Sequence, residues 1–219
     1  MNKKFYHCTT IEGFKGICSK PCTHELSLYL SHSQDMNDEK EISFGYNAVK
    51  DREKDVIGIE RGEKIKDSYI FSVSSSFKFV SSKNDYGSII LEFDKLNDDI
   101  TFKECRYLTN EEIIELQKKF LEEQFNPMLD LIAILFPFYV KEIKWKDEKE
   151  WRIVKSLQEN EEGQVRYRKT GERVRYLEWN ISSEKLTAVY LKNNVSAEEE
   201  REINEILFKY NFGFTAKRI

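Results

Sequence analysis

The chain has 219 residues, 40% of them hydrophobic and 13% aromatic, which is enough to bury a core and disfavours wholesale disorder. Its 35 Lys and Arg side chains nearly balance 39 Asp and Glu side chains, which disfavours non-specific polyanion binding as the main role. Four cysteines are too few for a disulfide framework, and no secretory signal or bilayer-length apolar run is present. We therefore expect one cytoplasmic domain over residues 1–219, without membrane contact.

Short strands and helices alternate through the first half of the chain. Residues 4–8 form a β-prone run, and Thr9 and Glu12 have the capping-box spacing of a helix with one apolar face. Leucines alternate with polar residues over 26–31, which is the period of a strand, and Asp38 predicts the cap of another helix. Further strands are predicted at 68–74, 88–93 and 102–108.

The second half of the chain begins with a helix that Asn110 and the acidic residues after it open. An apolar run over 128–138 predicts a buried helix that ends near Pro137, and Ser196 opens a last helix through a capping box with Glu199. Strands are predicted at 150–155, 174–179, 186–191 and 213–217, and an exposed hairpin or loop at 158–175. Because these elements follow no regular βαβ rhythm, we expect an α+β fold with a mixed or antiparallel sheet flanked by helices.

The first polar group of interest lies where the first predicted strand meets a helix, at Tyr6, His7 and Thr9. The imidazole of His7 could hydrogen-bond a ligand hydroxyl there, while backbone amides at the start of the helix meet an anion. A histidine that ties down the end of the strand explains the same residue without a ligand. Asn37 and Asp38 raise a similar choice, because such residues either cap a helix or line a pocket.

A second group lies on a late strand, where alternation puts Glu150 and Arg152 on one face and Trp151 and Ile153 on the other. If the Trp and Ile face is the core, the carboxylate and the guanidinium point together to the opposite side. The guanidinium then lowers the pKa of Glu150 and keeps it ionised. Such a carboxylate could stabilise a cationic, sugar-like transition state, although a solvated surface ion pair explains the same spacing.

Three further features complete the set of candidates. Ser72 and Ser74 share one strand face, and Tyr86 precedes a turn glycine, where its ring could stack on a flat heterocycle or simply lie on the surface. The Cys-x₃-Cys-x-His spacing at residues 18–24 resembles part of a zinc site, but no second Cys pair completes it, so we expect no metal. The usual dinucleotide, P-loop and serine-hydrolase fingerprints are missing from the sequence.

Taken in order, several of these residues resemble a known pattern. The pattern consists of Tyr6-His7-x-Thr9, Leu30-Ser31, Asn37-Asp38-x-x-Glu41, Phe71-Ser72, residues 87–93 and Trp145-x-x-Glu148-x-Glu150-Trp151-Arg152-Ile153. Its order and spacing resemble the bacterial domain-of-unknown-function 2971 family, from residue 5 to about residue 214, and the last block is the most specific element. That family is similar to the ADP-ribosyltransferase superfamily.

The resemblance implies an ADP-ribosyltransferase-like fold with a split sheet and a cleft for NAD, which is the substrate. It implies that His7 and Glu150 are catalytic, with His7 on the NAD ribose and Glu150 at the scissile bond. The residues implied to bind NAD are Tyr6, His7, Thr9, Asn37, Asp38, Ser72, Ser74, Tyr86 and Arg152. The implied function is ADP-ribose transfer to a protein or nucleic acid, or NAD hydrolysis, by a bacterial toxin or phage-defence effector.

Two other functions stay open on the sequence alone. A non-catalytic module of the same fold could bind a nucleotide or nucleic acid, because basic residues and tyrosines interleave over 166–176. A solvated hairpin explains that stretch equally well. The apolar run over 128–138 could also form a dimer face.

Overall fold

The computed structural model describes residues 3–35, 39–46, 49, 68–83, 85–96, 101–122, 136–156, 165–167 and 175–219. The strands are β1 (Phe5–Thr9), β2 (Glu25–His32), β3 (Ser68–Ser74), β4 (Ile89–Phe93), β5 (Lys103–Glu104), β6 (Arg106–Leu108), β7 (Val140–Glu142), β8 (Glu150–Ser156), β9 (Val165–Tyr167), β10 (Arg175–Ser182), β11 (Leu186–Leu191) and β12 (Lys217–Arg218). The α-helices are α1 (Ile11–Ile17), α2 (Glu39–Tyr46), α3 (Phe77–Ser82), α4 (Asn110–Glu122) and α5 (Ala197–Lys209). Short 3-10 helices span Pro21–Thr23, Ser33–Asp35, Phe136–Tyr139, Ile143–Glu148 and Ser183–Lys185.

One large mixed sheet organises these elements into an α+β domain, which confirms the predicted fold class. Its strand order is β12-β11-β4-β1-β3-β2-β10-β9, and β8 pairs with β3 and β5 outside this order. The pairings are antiparallel except that β12 runs parallel to β11 at the edge. β9 lies within the stretch over 158–175 for which a hairpin or loop is predicted, and it pairs antiparallel with β10; residues 158–164 and 168–174 lie outside the described residues.

The sheet forks at β3. One edge of β3 pairs with β8 over its whole length, from Ser68 to Ser74. The other edge is shared, because Tyr69 and Ile70 pair with β2 while Ser74 pairs with β1. Ser72 lies between these two stretches, so its backbone on this edge needs a partner from elsewhere.

The register across the fork assigns side chains to two faces, since directly opposed residues project to the same side of a sheet. The core face carries Phe5, Phe71, Leu91 and Ile153, all buried in one hydrophobic cluster. The opposite side carries Tyr6, Ser74, Glu92 and Glu150 and is here called the carboxylate face. Glu150 and Arg152 share the carboxylate face, as strand alternation predicted.

Helices α1 and α5 pack into the core-face cluster. Phe14 of α1 and Ile203 of α5 are fully buried there, each on the apolar stripe that helical periodicity predicts. Burial of one such side chain contributes roughly 1.5–3 kcal/mol. Across the described residues, no helix has the length and apolarity needed to cross a membrane.

Helix starts agree with the capping predictions to within one residue. Ser196 and Glu199 form the predicted reciprocal capping box of α5. The predicted cap Thr9 is wrong, because Thr9 still pairs within the sheet and the hydroxyl of Thr10 accepts from the Gly13 amide at 3.1 Å. Thr109, rather than Asn110, makes the reciprocal bonds at the start of α4, where Glu112 is its partner.

Three predictions for the middle of the chain need correction. The run over 102–108 is divided, because β5 joins β8 in the main sheet while β6 pairs with β7 in a small parallel sheet. Ile114, placed on the apolar stripe of α4, is 52% exposed. Of the predicted apolar helix over 128–138, residues 128–135 lie outside the described residues, and Phe136–Tyr139 is a buried 3-10 helix.

The small sheet of β6 and β7 brings β7 close to the start of β8, so that Lys141 of β7 reaches Glu150 of β8.

Candidate functional site

The densest polar cluster of the described chain surrounds Glu150 on the carboxylate face. One carboxylate oxygen of Glu150 accepts from Nε of Arg152 at 2.8 Å, and the other accepts from Nη2 of Arg152 at 3.3 Å and from Nζ of Lys141 at 2.8 Å. Nη1 of Arg152 donates to the carbonyl of Phe138 at 2.7 Å. Arg152 is fully buried and Glu150 is 6% exposed, so these charges meet away from bulk water.

Glu148 adds a second carboxylate to the cluster. Its Oε2 accepts from Nζ of Lys141 at 2.5 Å, so this one ammonium bridges Glu148 and Glu150. Between the two acids, Lys149 adopts a left-handed conformation with φ of 46°, which turns the chain from a 3-10 helix into β8. Ser74 fixes this turn, because its hydroxyl donates to the Glu148 carbonyl at 2.5 Å.

Tyr86 connects the cluster to solvent. Its hydroxyl donates to Oε1 of Glu148 at 3.2 Å, while the residue as a whole is 43% exposed. The ring lies 5.9 Å from that of Phe79 in α3. Gly87, with φ of 99°, lets the backbone after Tyr86 pass close to the carbonyl of Thr9. The half-exposed Tyr86 ring therefore lies at the edge of the cluster, and the sequence had offered it as a stacking residue or as a surface tyrosine.

The environment drives the pKa values of the two acids apart. Burial opposes ionisation of Glu150, but the charges of Arg152 and Lys141 outweigh it and lower its pKa to about 2. Burial raises the pKa of Glu148, and the attraction of Lys141 only partly offsets it. Burial and the Glu148 carboxylate raise the pKa of Tyr86 to about 12, which keeps its hydroxyl a hydrogen-bond donor. A carboxylate that is held ionised beside one whose pKa is raised is an arrangement that acid–base catalysis uses.

His7 does not belong to this cluster, contrary to the expectation that it shares a cavity with Glu150. Tyr6 and Glu150 both oppose Ser74 and face one side of the sheet, so the next residue, His7, projects to the core face. There its Nδ1 lies 3.1 Å from the carbonyl oxygen of Ser72, and its ring lies 4.6 Å from that of Phe71. Burial lowers the pKa of His7, so the neutral ring donates to the carbonyl at the fork of the sheet. The simpler interpretation, a histidine that ties down the strand, is the one this geometry supports.

Tyr6 lies on the carboxylate face but interacts with a different carboxylate, that of Glu92. Burial and the neighbouring Glu92 raise its pKa, and its ring lies 5.2 Å from that of Phe77. Glu92 also accepts hydrogen bonds from Thr187 at 2.8 Å and from Tyr190 at 2.9 Å. This second group of contacts belongs to β4, β1 and β11, on the far side of the fork from Glu150.

The other predicted NAD-binding residues are distributed unevenly. Arg152, Ser74 and Tyr86 join the cluster described above, whereas the Thr9 side chain packs against Gly13 of α1. Ser72 opposes Arg152 across β3 and β8, and its buried hydroxyl has no hydrogen-bond partner within the described part of the chain. Asn37 and Asp38 lie outside the described residues.

Two further candidate sites from the sequence are the possible zinc site at residues 18–24 and the basic stretch over 166–176. Cys18 is buried in the core, Cys22 is exposed, and no group of three or more metal-binding side chains occurs among the residues that the structure describes. Of the basic stretch over 166–176, Arg175 holds Asp35 through Nε at 3.0 Å and Nη2 at 3.1 Å. Residues 168–174 lie outside the described part of the chain.

The sequence analysis assigned no role to Lys141 or to Glu148. Glu148 belongs to the last motif of the family resemblance and precedes Glu150 by two residues, so its position beside Glu150 in the sequence could have identified it as a site residue. Lys141 is 8% exposed and reaches the cluster only because β7 pairs with β6 beside β8. Nothing in its local sequence separates it from a surface lysine.

No family model, no curated protein and no solved structure matches this chain. The resemblance to the domain-of-unknown-function 2971 family therefore stays a prediction.

Proposed function

We propose that the Glu148–Glu150 cluster is the active site of an NAD-consuming enzyme of the ADP-ribosyltransferase-like kind. The observation that carries this proposal is the pair of buried carboxylates bridged by Lys141, with pKa values displaced in opposite directions. Its products are ADP-ribose on a protein or nucleic acid, or free ADP-ribose when water is the acceptor. A bacterial toxin or phage-defence effector is the biological role consistent with that chemistry.

Each carboxylate has a distinct task in the proposed reaction. The bond between C1′ of the ribose and the nicotinamide nitrogen breaks, and its electron pair leaves with nicotinamide. The ribose then has oxocarbenium character, which the permanently ionised Glu150 stabilises through space. Water or an acceptor group forms the new bond to C1′, and Glu148 takes the proton that this nucleophile loses.

Tyr86 and Ser74 act as supports. The Tyr86 ring is the half-exposed surface on which nicotinamide would stack, and its hydroxyl orients Oε1 of Glu148. Ser74 holds the turn that places Glu148 beside Glu150. His7 has no part in this reaction, since it lies on the core face.

Nicotinamide release measures this activity directly. The purified protein is incubated with NAD labelled in the adenosine part, with and without bacterial lysate, and nicotinamide and labelled macromolecules are quantified. We expect Glu148→Gln to reduce the rate on the order of 10²-fold or more. Tyr86→Phe keeps the ring but loses the hydroxyl, and we expect a smaller loss. Glu104→Gln is the matched control, because Glu104 lies on the neighbouring strand β5 and is half exposed.

The outcomes separate catalysis from binding. No nicotinamide and no labelled product from a folded wild-type protein overturns the proposal, as does a Glu148→Gln variant as fast as wild type. NAD that binds saturably without turnover would point instead to the non-catalytic module of the same fold.

A further inference from the structure

A buried lysine near the end of α3 has no acidic partner among the residues that the structure describes. Lys192 follows β11 and is 6% exposed, and its ammonium donates to the carbonyl of Lys83. No carboxylate of the described chain lies within salt-bridge distance of it. An ammonium has three N–H donors, and within the described residues only one of them has an acceptor. A buried cation without a counter-charge is unfavourable, which makes an anion the natural complement of this position.

Lys192 lines an open cleft of about 690 Å³, within the size range of small-molecule sites. The other lining residues are Phe77, Ser81, Asn193, Asn194 and Ile219. The lining therefore combines an amine, two carboxamides and a hydroxyl with two apolar side chains. Asn193 and Asn194 occupy the turn between β11 and α5, with their side chains exposed.

The apolar wall is fixed by aromatic packing. The ring of Phe77 lies 4.8 Å from that of Tyr190 and 5.2 Å from that of Tyr6. Ile219 is held by its backbone amide, which donates to the carbonyl of Leu191 at 3.0 Å. The cleft is thus built on β1, β11 and α3 before any ligand arrives, which lowers the entropic cost of binding.

We propose that this cleft binds the phosphate group of a small phosphorylated molecule. The Lys192 ammonium contacts the phosphate, Asn193 and Asn194 donate to its remaining oxygens, and the organic part lies against Phe77. Phosphate suits this lining better than a carboxylate, because several separate donors converge and a phosphate offers three acceptor oxygens. The inference is independent of NAD chemistry, since none of these residues belongs to the Glu148–Glu150 cluster.

Calorimetry and thermal melting test the proposal with three probes: inorganic phosphate, AMP and adenosine. We expect inorganic phosphate and AMP to bind the wild-type protein and raise its melting temperature, and adenosine to do neither. AMP that binds much more tightly than inorganic phosphate identifies a nucleotide as the source of the phosphate, and equal affinity identifies the free anion. Lys192→Met should weaken AMP binding on the order of tenfold or more, because it removes a charged hydrogen-bond donor.

Two further variants supply a control and a second disruption of the cleft. Lys78→Met is the matched control, since Lys78 lies exposed on α3 and does not line the cleft, and it should bind AMP like wild type. Asn194→Asp puts a carboxylate in the exposed turn beside Lys192 and should abolish phosphate binding without loss of fold. The proposal is overturned if the folded wild-type protein binds neither phosphate nor AMP, or if Lys192→Met and Asn194→Asp both bind AMP like wild type.

Discussion

Replacement of Glu150 by glutamine tests the energetics of the carboxylate cluster. The change keeps the shape of the side chain but removes one negative charge from a site where Arg152 is fully buried and Lys141 is 8% exposed. Lys141 keeps Glu148 as a partner, whereas Arg152 loses the negative charge of the carboxylate that its Nε and Nη2 contact. Removal of one partner from a buried ion pair costs on the order of 3–5 kcal/mol.

The pKa of Glu150 gives a second measure of the same quantity. It is lowered from 4.5 to about 2 in the folded protein, which corresponds to about 3 kcal/mol of the free energy of unfolding. This stabilisation is fully present above pH 4.5, where the carboxylate is ionised in both states, and it is lost as the pH falls towards about 2. Glu148 acts in the opposite direction, because its pKa is raised and its ionisation therefore opposes folding.

Urea unfolding of wild type and Glu150→Gln at several pH values measures both effects. We expect the variant to be about 3 kcal/mol less stable at pH 7, and the difference to shrink steadily below pH 4.5. Glu104→Gln removes a half-exposed ion pair with Lys3 on the adjacent strand and should change stability by less than about 1 kcal/mol. A Glu150→Gln variant as stable as wild type at pH 7, or with the same pH profile, would refute the argument.

Two local substitutions test the fold around the site. Gly87→Ala should lower the free energy of unfolding by more than about 1 kcal/mol, because φ is 99° and the added Cβ would lie 2.4 Å from the carbonyl oxygen of Thr9. An unchanged midpoint of urea unfolding would contradict this prediction. Ser196→Ala should cost about 1 kcal/mol by removal of the α5 cap, measured the same way, while an exposed mid-helix control, Glu205→Ala, should cost little.

Local periodicity predicted much of the secondary structure and one part of the site. The bounds of β3 and β11 follow from their β-branched and aromatic content, and alternation along β8 correctly set Glu150 and Arg152 against Trp151 and Ile153. These predictions succeed because each depends on neighbours within a few residues.

The composition of the cluster depends on contacts that local patterns do not contain. Lys141 reaches Glu150 through a pairing of β6 with β7, and Tyr86 reaches Glu148 across 62 residues of chain. The sequence predicted Tyr86 as a site residue from its turn, but nothing in the turn specified a carboxylate partner. The two-residue spacing of Glu148 and Glu150 did not reveal how their side chains meet, because it depends on the left-handed Lys149, which is not a glycine.

The expectation that His7 shares a site with Glu150 came from the family resemblance, and a double-mutant cycle tests the placement that the strand register gives instead. His7→Leu removes the donor to the Ser72 carbonyl and should cost about 1–3 kcal/mol, because that backbone oxygen is left unpaired. His7 and Glu150 project to opposite faces of strands two positions apart, about 10 Å by interstrand spacing, and they contact different residues. The free-energy changes of His7→Leu and Glu150→Gln should therefore add to within about 0.5 kcal/mol. A coupling free energy above about 1 kcal/mol between the two substitutions would contradict this placement. It would indicate that the imidazole and the carboxylate share one site, as joint binding of the NAD ribose requires.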